Sequence, residues 1–458
     1  MIKKTIEEIT KMIEIKNDVA SFHQVEVSGV CIDTRKVEAG NLFIPLEGEH
    51  VDGHQFVEDA FKRGASAALW HKSVPNPPLH LPVLIVDHPL AALQRLAKAY
   101  RQELTAKVIG ITGSNGKTTT KDMAAAILSE TFVVQKTEGN YNNHIGLPLT
   151  ILSLDKEVEV AVLELGMSAK GEIALLTDIA RPDIAIITNI GEAHLLDLGS
   201  RSAIAAAKME ITEGLNKDGI LLYPGDEPLL IDMIKEVQER KQSFGKTIKN
   251  DVYPINVEQQ MDGHIFSINI AQDEVYAVPV LGFHNVLNAL PAILAAKSLG
   301  MEHKAIKKGL QGLTLTKMRM EWVKGKKGIH ILDDSYNASP TAMRAVLQLF
   351  ENIGENKKRV VVLGDMLELG EEEISFHQQI GRELHPDHLQ YVFTYGQLSQ
   401  YIAEEARKNF PDDRVFAFLD KKLLMKTLEE KLAGDELVLV KASRGMKLEE
   451  VVSFLASS

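Results

Sequence analysis

The sequence predicts an α/β protein of three domains, and three observations carry that prediction. The stretch 110–120, GITGSNGKTTT, follows an apolar run at 108–111 and precedes a helix-like run at 117–130. A strand, a tight glycine turn and a helix start make a phosphate cradle. Apolar strand-like runs alternate with helical runs through the middle and end of the chain, which argues for mostly parallel sheets covered on both faces. The 458 residues, at about 150 per domain, suggest about three domains. The expected division is a small α/β unit at 1–86, a central P-loop ATPase-like parallel sheet at 87–315, and a Rossmann-like doubly wound sheet at 316–458.

Residues 1–15, MIKKTIEEITKMIEI, alternate charged and apolar residues as an amphipathic helix does. Strands are expected at 25–33, 41–46, 65–70 and 82–86, a helix at 55–63, and a proline-rich loop at 74–82. In the polar cluster Asp33-Thr34-Arg35, Arg35 is either a fork that grips phosphate or a solvated arginine beside a turn-forming aspartate, the commoner case. Gly53 between His50 and His54 argues against a helical metal pair, so both histidines read as loop residues.

In the P-loop, Gly113 and Gly116 let the backbone bend and turn its N–H groups inward. Lys117 can reach a terminal phosphate and the Thr118 hydroxyl can ligate magnesium. The spacing departs from the usual G-x-x-x-x-G-K-[ST], with Ile111 where a glycine is expected. Strands are expected at 158–165, 184–190 and 220–223, with helices at 172–179 and 202–215 between them. Ligands in such a sheet sit beyond the carboxyl ends of the strands, which is where Glu164, Ser168 and His194 fall. A carboxylate closing the apolar strand AVLELG is costly to bury without a cation, and magnesium prefers oxygen ligands. The asparagine-rich run 138–148 is a loop whose amides can read a sugar or peptide. Asn285 and Asn288, three apart in GFHNVLNAL, share one helical face. Residues 251–281 read as antiparallel strands added to the central unit.

From residue 316 strands are expected at 329–332, 359–363, 391–394, 415–418 and 437–440. Polar residues gather at their ends at 333–337, 364–365 and 441–444, and the acidic run 371–373 reads as a solvated first turn of a helix. The formal charge of −12 argues against a nucleic-acid surface. Cys31 is the only cysteine, which excludes an intrachain disulfide and fits a reducing compartment. No apolar run approaches the length of a membrane span, the N-terminus lacks a signal-peptide core, and no long repeat is visible. A cytoplasmic protein is expected.

The motifs GITGSNGKTT, EGNYNNHIGLPLT, LELGM, TNIGEAHLLDLGS, AAKMEITEG, GFHNVLNAL, KMRME, DDSYNASP, LGDMLELG and LVKASRGMKLE, in this order, resemble the Mur ligase family of peptidoglycan precursor synthesis over essentially the full chain. The DTR, NLFIPLEG and DGHQF segments resemble that family's uridine-nucleotide domain, which favours a phosphate-gripping role for Arg35. The resemblance implies ATP-dependent ligation of D-alanyl-D-alanine to UDP-N-acetylmuramoyl-tripeptide, by a monomer. The D-N-P-R motif of the ligase that adds the third residue is absent, and Ser339 stands where the family pattern YNANP has asparagine.

Carried over by position, the resemblance implies that Gly113, Ser114, Asn115, Gly116, Lys117, Thr118 and Thr119 hold the ATP phosphates. Thr118 and Glu164 would serve one Mg2+, and His194 a second. Lys208 in AAKME would be carbamylated, which turns a cation into an anionic oxygen ligand. Asn285 and Asn288 would contact adenine, and Arg319 and Asp334 phosphate and ribose. Ser28, Asp33 and Arg35 would meet the uridine nucleotide. Asn142, Asn143 and Ser168 would hold the muramoyl peptide, and Tyr336, Asn337 and Ser443 the dipeptide. Two other readings are a different ATP-dependent amide ligase of the same plan, such as a folylpolyglutamate synthase, and a nucleotide-dependent switch. The switch leaves Glu164, His194 and Lys208 without a purpose.

Overall fold

The computed structural model describes residues 1–48, 51–260, 262–354 and 357–456. Two six-stranded sheets dominate it. The central one has the order 240–244, 220–224, 184–187, 107–112, 160–164, 134–136, all parallel. Its middle strands are buried on both faces, as the continuous apolar runs VAVLE and IAII require of a doubly covered parallel sheet. The helix Lys117–Leu128 covers one face together with Phe283–Ser298, and Glu172–Ala180 and Pro89–Glu103 lie in the core on the other.

The C-terminal sheet runs 321–324, 330–333, 437–441, 359–364, 391–395, 415–418, parallel except for the antiparallel edge strand Glu321–Lys324. It has its own cores, one on each face. The acidic turn there is a short 3-10 turn, Gly370–Glu372, leading into the helix Glu373–Glu383. Strands Pro254–Gln259, His264–Ile268 and Ala271–Val278 form an antiparallel sheet, whose Phe266, Tyr276 and Val278 pack into the central core as the alternating pattern of 251–281 anticipates.

The N-terminal region corrects the sequence reading in three places. Residues 1–15 are not one helix: Lys3–Thr5 is a strand, and the helix is only Ile6–Met12. Thr5 caps it in a reciprocal capping box with Glu8, so the helix cannot extend backwards. The expected strand at 25–33 is broken at Gly29, whose φ of 78° no extended strand tolerates. Glu26–Ser28 pairs with Lys3–Thr5, whereas Val30–Cys31 joins a separate parallel sheet with 42–43, 67–71 and 83–86. His54 is no free loop residue. It is buried in the 3-10 turn Gly53–Phe56, with Nδ1 2.6 Å from Asp52 Oδ1 and Nε2 accepting from the His71 N–H at 3.0 Å. His50 lies outside the described residues.

The helix expected over 202–215 is α-helical only over Arg201–Met209 and ends in a 3-10 turn. The short strands Val134–Lys136, Arg240–Phe244 and Glu321–Lys324 were not anticipated. Cys31 is buried; its thiol donates to the Asp33 carbonyl at 3.1 Å, and burial pushes its pKa up. Among the described residues no helix is long and apolar enough to cross a membrane.

Candidate active site

A cavity of about 450 Å³ opens between the carboxyl ends of the central strands and the C-terminal sheet. The strand Lys107–Thr112 delivers the P-loop to its wall, and the helix Lys117–Leu128 starts there with Gly116 as its cap. Gly113 has φ 147° and Gly116 φ 80°. A Cβ on Gly113 would overlap Thr188 Oγ1, and one on Gly116 would overlap Asn288 Oδ1. The loop is therefore seated against the neighbouring strand and against the helix Phe283–Ser298. Asn115 N–H donates to Asn189 Oδ1 at 2.9 Å, and Thr188 Oγ1 donates to the Asn115 carbonyl at 2.6 Å. Such bonds leave the helix-start N–H groups and dipole free for an anion.

Lys117 folds over this loop and donates to the Gly113 carbonyl at 2.7 Å. Burial pulls its pKa down, Glu164 raises it and Arg319 lowers it. Glu164 is buried, yet among the described residues its carboxylate accepts only from neutral side chains, Thr118 Oγ1 on one oxygen and Asn142 Nδ2 on the other, each at 2.9 Å, while its backbone N–H donates to Thr137 Oγ1 at 2.9 Å. A buried carboxylate so arranged beside a P-loop hydroxyl has the donor chemistry of a hard-cation site.

Lys208 is 1% exposed, and no described residue bonds to its amine. Burial, followed by the charge of Lys117, pushes its pKa well below the ordinary lysine value. Loss of the proton makes the amine nucleophilic, as reaction with carbon dioxide requires. His194 sits at a left-handed turn, φ 66°, with Nδ1 2.9 Å from Glu368 Oε2 of the C-terminal unit. His194 is the main influence holding the Glu368 carboxyl below its usual range.

Opposite the P-loop, Arg319 stacks over Tyr336 at 4.1 Å, and its Nε is buried without a partner among the described residues. Asp334 accepts from the Met320 N–H at 3.3 Å and pairs with Lys441, whose amine also donates to the Asn337 carbonyl at 3.1 Å. Asn288 Nδ2 donates to Asn285 Oδ1 at 3.1 Å. Between these residues and the loop lies His284, pushed down to about 4 by burial and so uncharged near neutral pH.

Of the residues singled out in the sequence, Ser114–Thr119, Asn142, Asn143, Glu164, Ser168, His194, Asn285, Asn288, Arg319, Asp334, Tyr336 and Asn337 all line this one cavity. Asn143 Oδ1 also accepts from the Gly146 N–H at 2.9 Å, in the turn before the helix Gly146–Ser153, and the Ser168 N–H donates to Glu172 at 2.6 Å. Gly113 and Lys208 do not line the cavity; Lys208 is near enough to Lys117 for their charges to interact. Ser443 is buried outside it, accepting from the Leu367 N–H at 2.9 Å. Ser28, Asp33 and Arg35 lie away from the cavity in the N-terminal unit, where Arg35 is exposed and holds Asp33 through two side-chain hydrogen bonds of 2.9 and 2.7 Å.

Three residues of the site were missed individually. Lys441 and His284 carried a signal, being a lysine in a polar strand-end cluster and the neighbour of Asn285. Glu368 carried none, because its partner is 174 positions away in a different unit. Ser339, the departure from the family pattern, caps the helix Pro340–Phe350 and places its hydroxyl 3.4 Å from Asn115 Oδ1 of the P-loop.

Comparison with known proteins agrees along the whole chain. The sequence profiles described as Mur ligase family, catalytic domain, as Mur ligase middle domain and as Mur ligase, glutamate ligase domain match residues 26–101, 111–296 and 318–444. The UDP-N-acetylmuramoyl-tripeptide–D-alanyl-D-alanine ligase of Bacillus subtilis (strain 168) is 50% identical over 458 residues, covering 100% of this chain and 99% of its own. A crystal structure of MurF from Acinetobacter baumannii superposes with a TM-score of 0.89 at 29% identity over 100% of both chains. The MurF ligase of Thermotoga maritima in complex with ADP superposes with a TM-score of 0.82 at 28% identity, covering 94% of this chain and 97% of that one.

Proposed function

The chain belongs to the Mur ligase family, and from that premise we propose that it joins D-alanyl-D-alanine to UDP-N-acetylmuramoyl-tripeptide. ATP is consumed, and the products are the pentapeptide precursor of peptidoglycan, ADP and phosphate. The observation that carries this reading is the 50% full-length identity to a ligase of that name. A single cavity where a P-loop faces Arg319, Asp334 and Lys441 supports it.

The terminal carboxylate of the tripeptide attacks the γ-phosphorus, and the bond to ADP breaks. An acyl phosphate results. The free amine of the dipeptide attacks its acyl carbon, loses a proton, and expels phosphate as the amide forms. Two anions must meet in the first step. Lys117 and Arg319 offset that repulsion from opposite walls. Asn285, Asn288 and the neutral His284 provide the adenine side of the cavity, and Asp334, held by Lys441, the ribose side. Asn142, Asn143 and Ser168 orient the muramoyl peptide. Tyr336 and Asn337 orient the dipeptide, with Ser443 fixing the loop behind them. The packed walls exclude water from a hydrolysable acyl phosphate.

Thr118 and Glu164 fit one Mg2+, and His194 with a carbamylated Lys208 fits a second; when bound, these ions neutralise charge developing on the transferred phosphoryl group. The unpartnered, buried, deprotonation-prone Lys208 amine supports the modification. We further assign 1–86, with Ser28, Asp33 and Arg35, to the uridine nucleotide, 87–315 to ATP, and 316–458 to closure over ATP and dipeptide, in a monomeric cytoplasmic enzyme. A coupled phosphate-release assay tests the reading. Release is expected to require ATP, the tripeptide nucleotide and D-alanyl-D-alanine together, and running it with lysine and with diaminopimelate at the third position identifies the natural tripeptide. Slow hydrolysis indifferent to the dipeptide would replace the ligase by a nucleotide switch.

A further inference from the structure

We infer that Glu368 is a positioning residue for His194, fixing the tautomer and orientation of its imidazole from across the boundary between the central and C-terminal units. The inference rests on the ligase reading, which gives His194 a cation to bind. Four contacts support it. Glu368 Oε2 lies 2.9 Å from His194 Nδ1, while Asp197, on the histidine's own element, is 4.0 Å away. The Glu368 carbonyl accepts from the Leu196 N–H at 3.1 Å, so its backbone and side chain grip the same turn. The chain packs against that turn again two residues later, where Gly370 sits against Leu196. Thr341 Oγ1 donates to Glu192 Oε2 at 2.7 Å on the other flank of His194.

His194 has φ 66° and Glu368 φ 65°, and neither is glycine. Left-handed backbone at such residues costs on the order of 1 kcal/mol each. The His194 turn is held locally by the Leu195 N–H donating to the Glu192 carbonyl at 3.1 Å, and the contact with Glu368 adds to that support. The 2.9 Å contact is an ion pair rather than a directed hydrogen bond, and the carboxylate's charge favours the proton on Nδ1 and leaves the Nε2 lone pair for a ligand, on a ring that lines the cavity. This is how carboxylates orient histidines toward cations elsewhere. Here the carboxylate comes from a different unit than the histidine. The affinity of the central site for a cation therefore depends on the C-terminal unit being seated.

The test uses Mn2+ as the probe on the full chain with saturating ADP, reading free Mn2+ by electron paramagnetic resonance. Glu368→Gln and Glu368→Ala are expected to weaken the His194-dependent Mn2+ site by about tenfold. Glu368→Asp is expected to recover part of the loss. ADP affinity measured in EDTA should stay within twofold of the parent, a readout that general damage to the fold would move. In the His194→Ala background, Glu368→Gln should cost nothing further. Unchanged Mn2+ affinity in Glu368→Gln overturns the inference, as does an equal loss of ADP affinity in EDTA. No peptide enters these measurements, so they fail separately from the ligase reading, which falls if the parent protein shows no dipeptide-dependent phosphate release.

Discussion

Asp122 accepts two hydrogen bonds on one oxygen from Thr316, at 2.9 Å from its backbone N–H and 2.7 Å from its hydroxyl. Asp122 lies on the helix that begins with Lys117, and Thr316 lies on the segment that carries Arg319 into the cavity. The other carboxylate oxygen accepts from Lys136 at 2.7 Å, with Lys121 at 3.4 Å. One side chain thus ties the phosphate-binding helix to the linker of the C-terminal unit. Asp122 is fully buried, so Asp122→Ala leaves Lys121 with an uncompensated charge in the interior. It should destabilise the protein by about 3 kcal/mol, measured by urea denaturation. Thr316→Val keeps the backbone bond and should lose about 1 kcal/mol. Equal effects of the two substitutions would contradict this division.

Lys117→Ala should lower dipeptide-dependent phosphate release by at least about 100-fold, the scale of removing one preorganised charge donor, with an unchanged circular dichroism spectrum. Ordinary turnover by this variant would remove Lys117 from the reaction.

Lys208 gives a prediction with a sign in pH. Its folded-state pKa is depressed, so between that depressed value and the ordinary lysine value the unfolded chain binds a proton that the folded chain does not. Folding stability therefore rises with pH across that window. In bicarbonate-free buffer Lys208→Met should melt at a higher temperature than the parent, by about 1 °C for each kcal/mol recovered in a chain of 458 residues. The difference should narrow as pH rises toward the ordinary lysine value. The same variant should be inactive, and Lys208→Ala partly restored by small carboxylates. Full activity of Lys208→Ala without any added anion would take Lys208 out of the cation site.

Gly113→Ala should abolish nucleotide binding, measured by ADP titration calorimetry. The left-handed φ and the overlap with Thr188 Oγ1 act together. Thr188→Ala added to it relieves only part of the overlap, because the Thr188 Cβ and N–H also lie within 3.1 Å of the added carbon. ADP affinity within twofold of the parent would mean that the loop is free to move.

The sheets were legible because their strands are short apolar runs between helical periods, as with 160–164 and 184–187. Glu164 was legible because a carboxylate ending such a run has to meet a partner. What the sequence concealed was decided by distant contacts. The strand Arg240–Phe244 reads as a charged segment and is strand only because it pairs with Ile220–Pro224 at the sheet edge. Gly29 splits one expected strand between two sheets because its φ is fixed by packing rather than by its neighbours. The pairing of Glu368 with His194 and of Thr316 with Asp122 joins units that no local pattern relates.

Cys31 is the chain's sole thiol, and it is shielded and reluctant to ionise. Maleimide dyes attached to two engineered surface cysteines, one on the P-loop unit and one on the C-terminal unit, will therefore report with almost no background from the parent chain. Single-molecule fluorescence transfer can then show whether the two units move apart during turnover, without first removing a native cysteine.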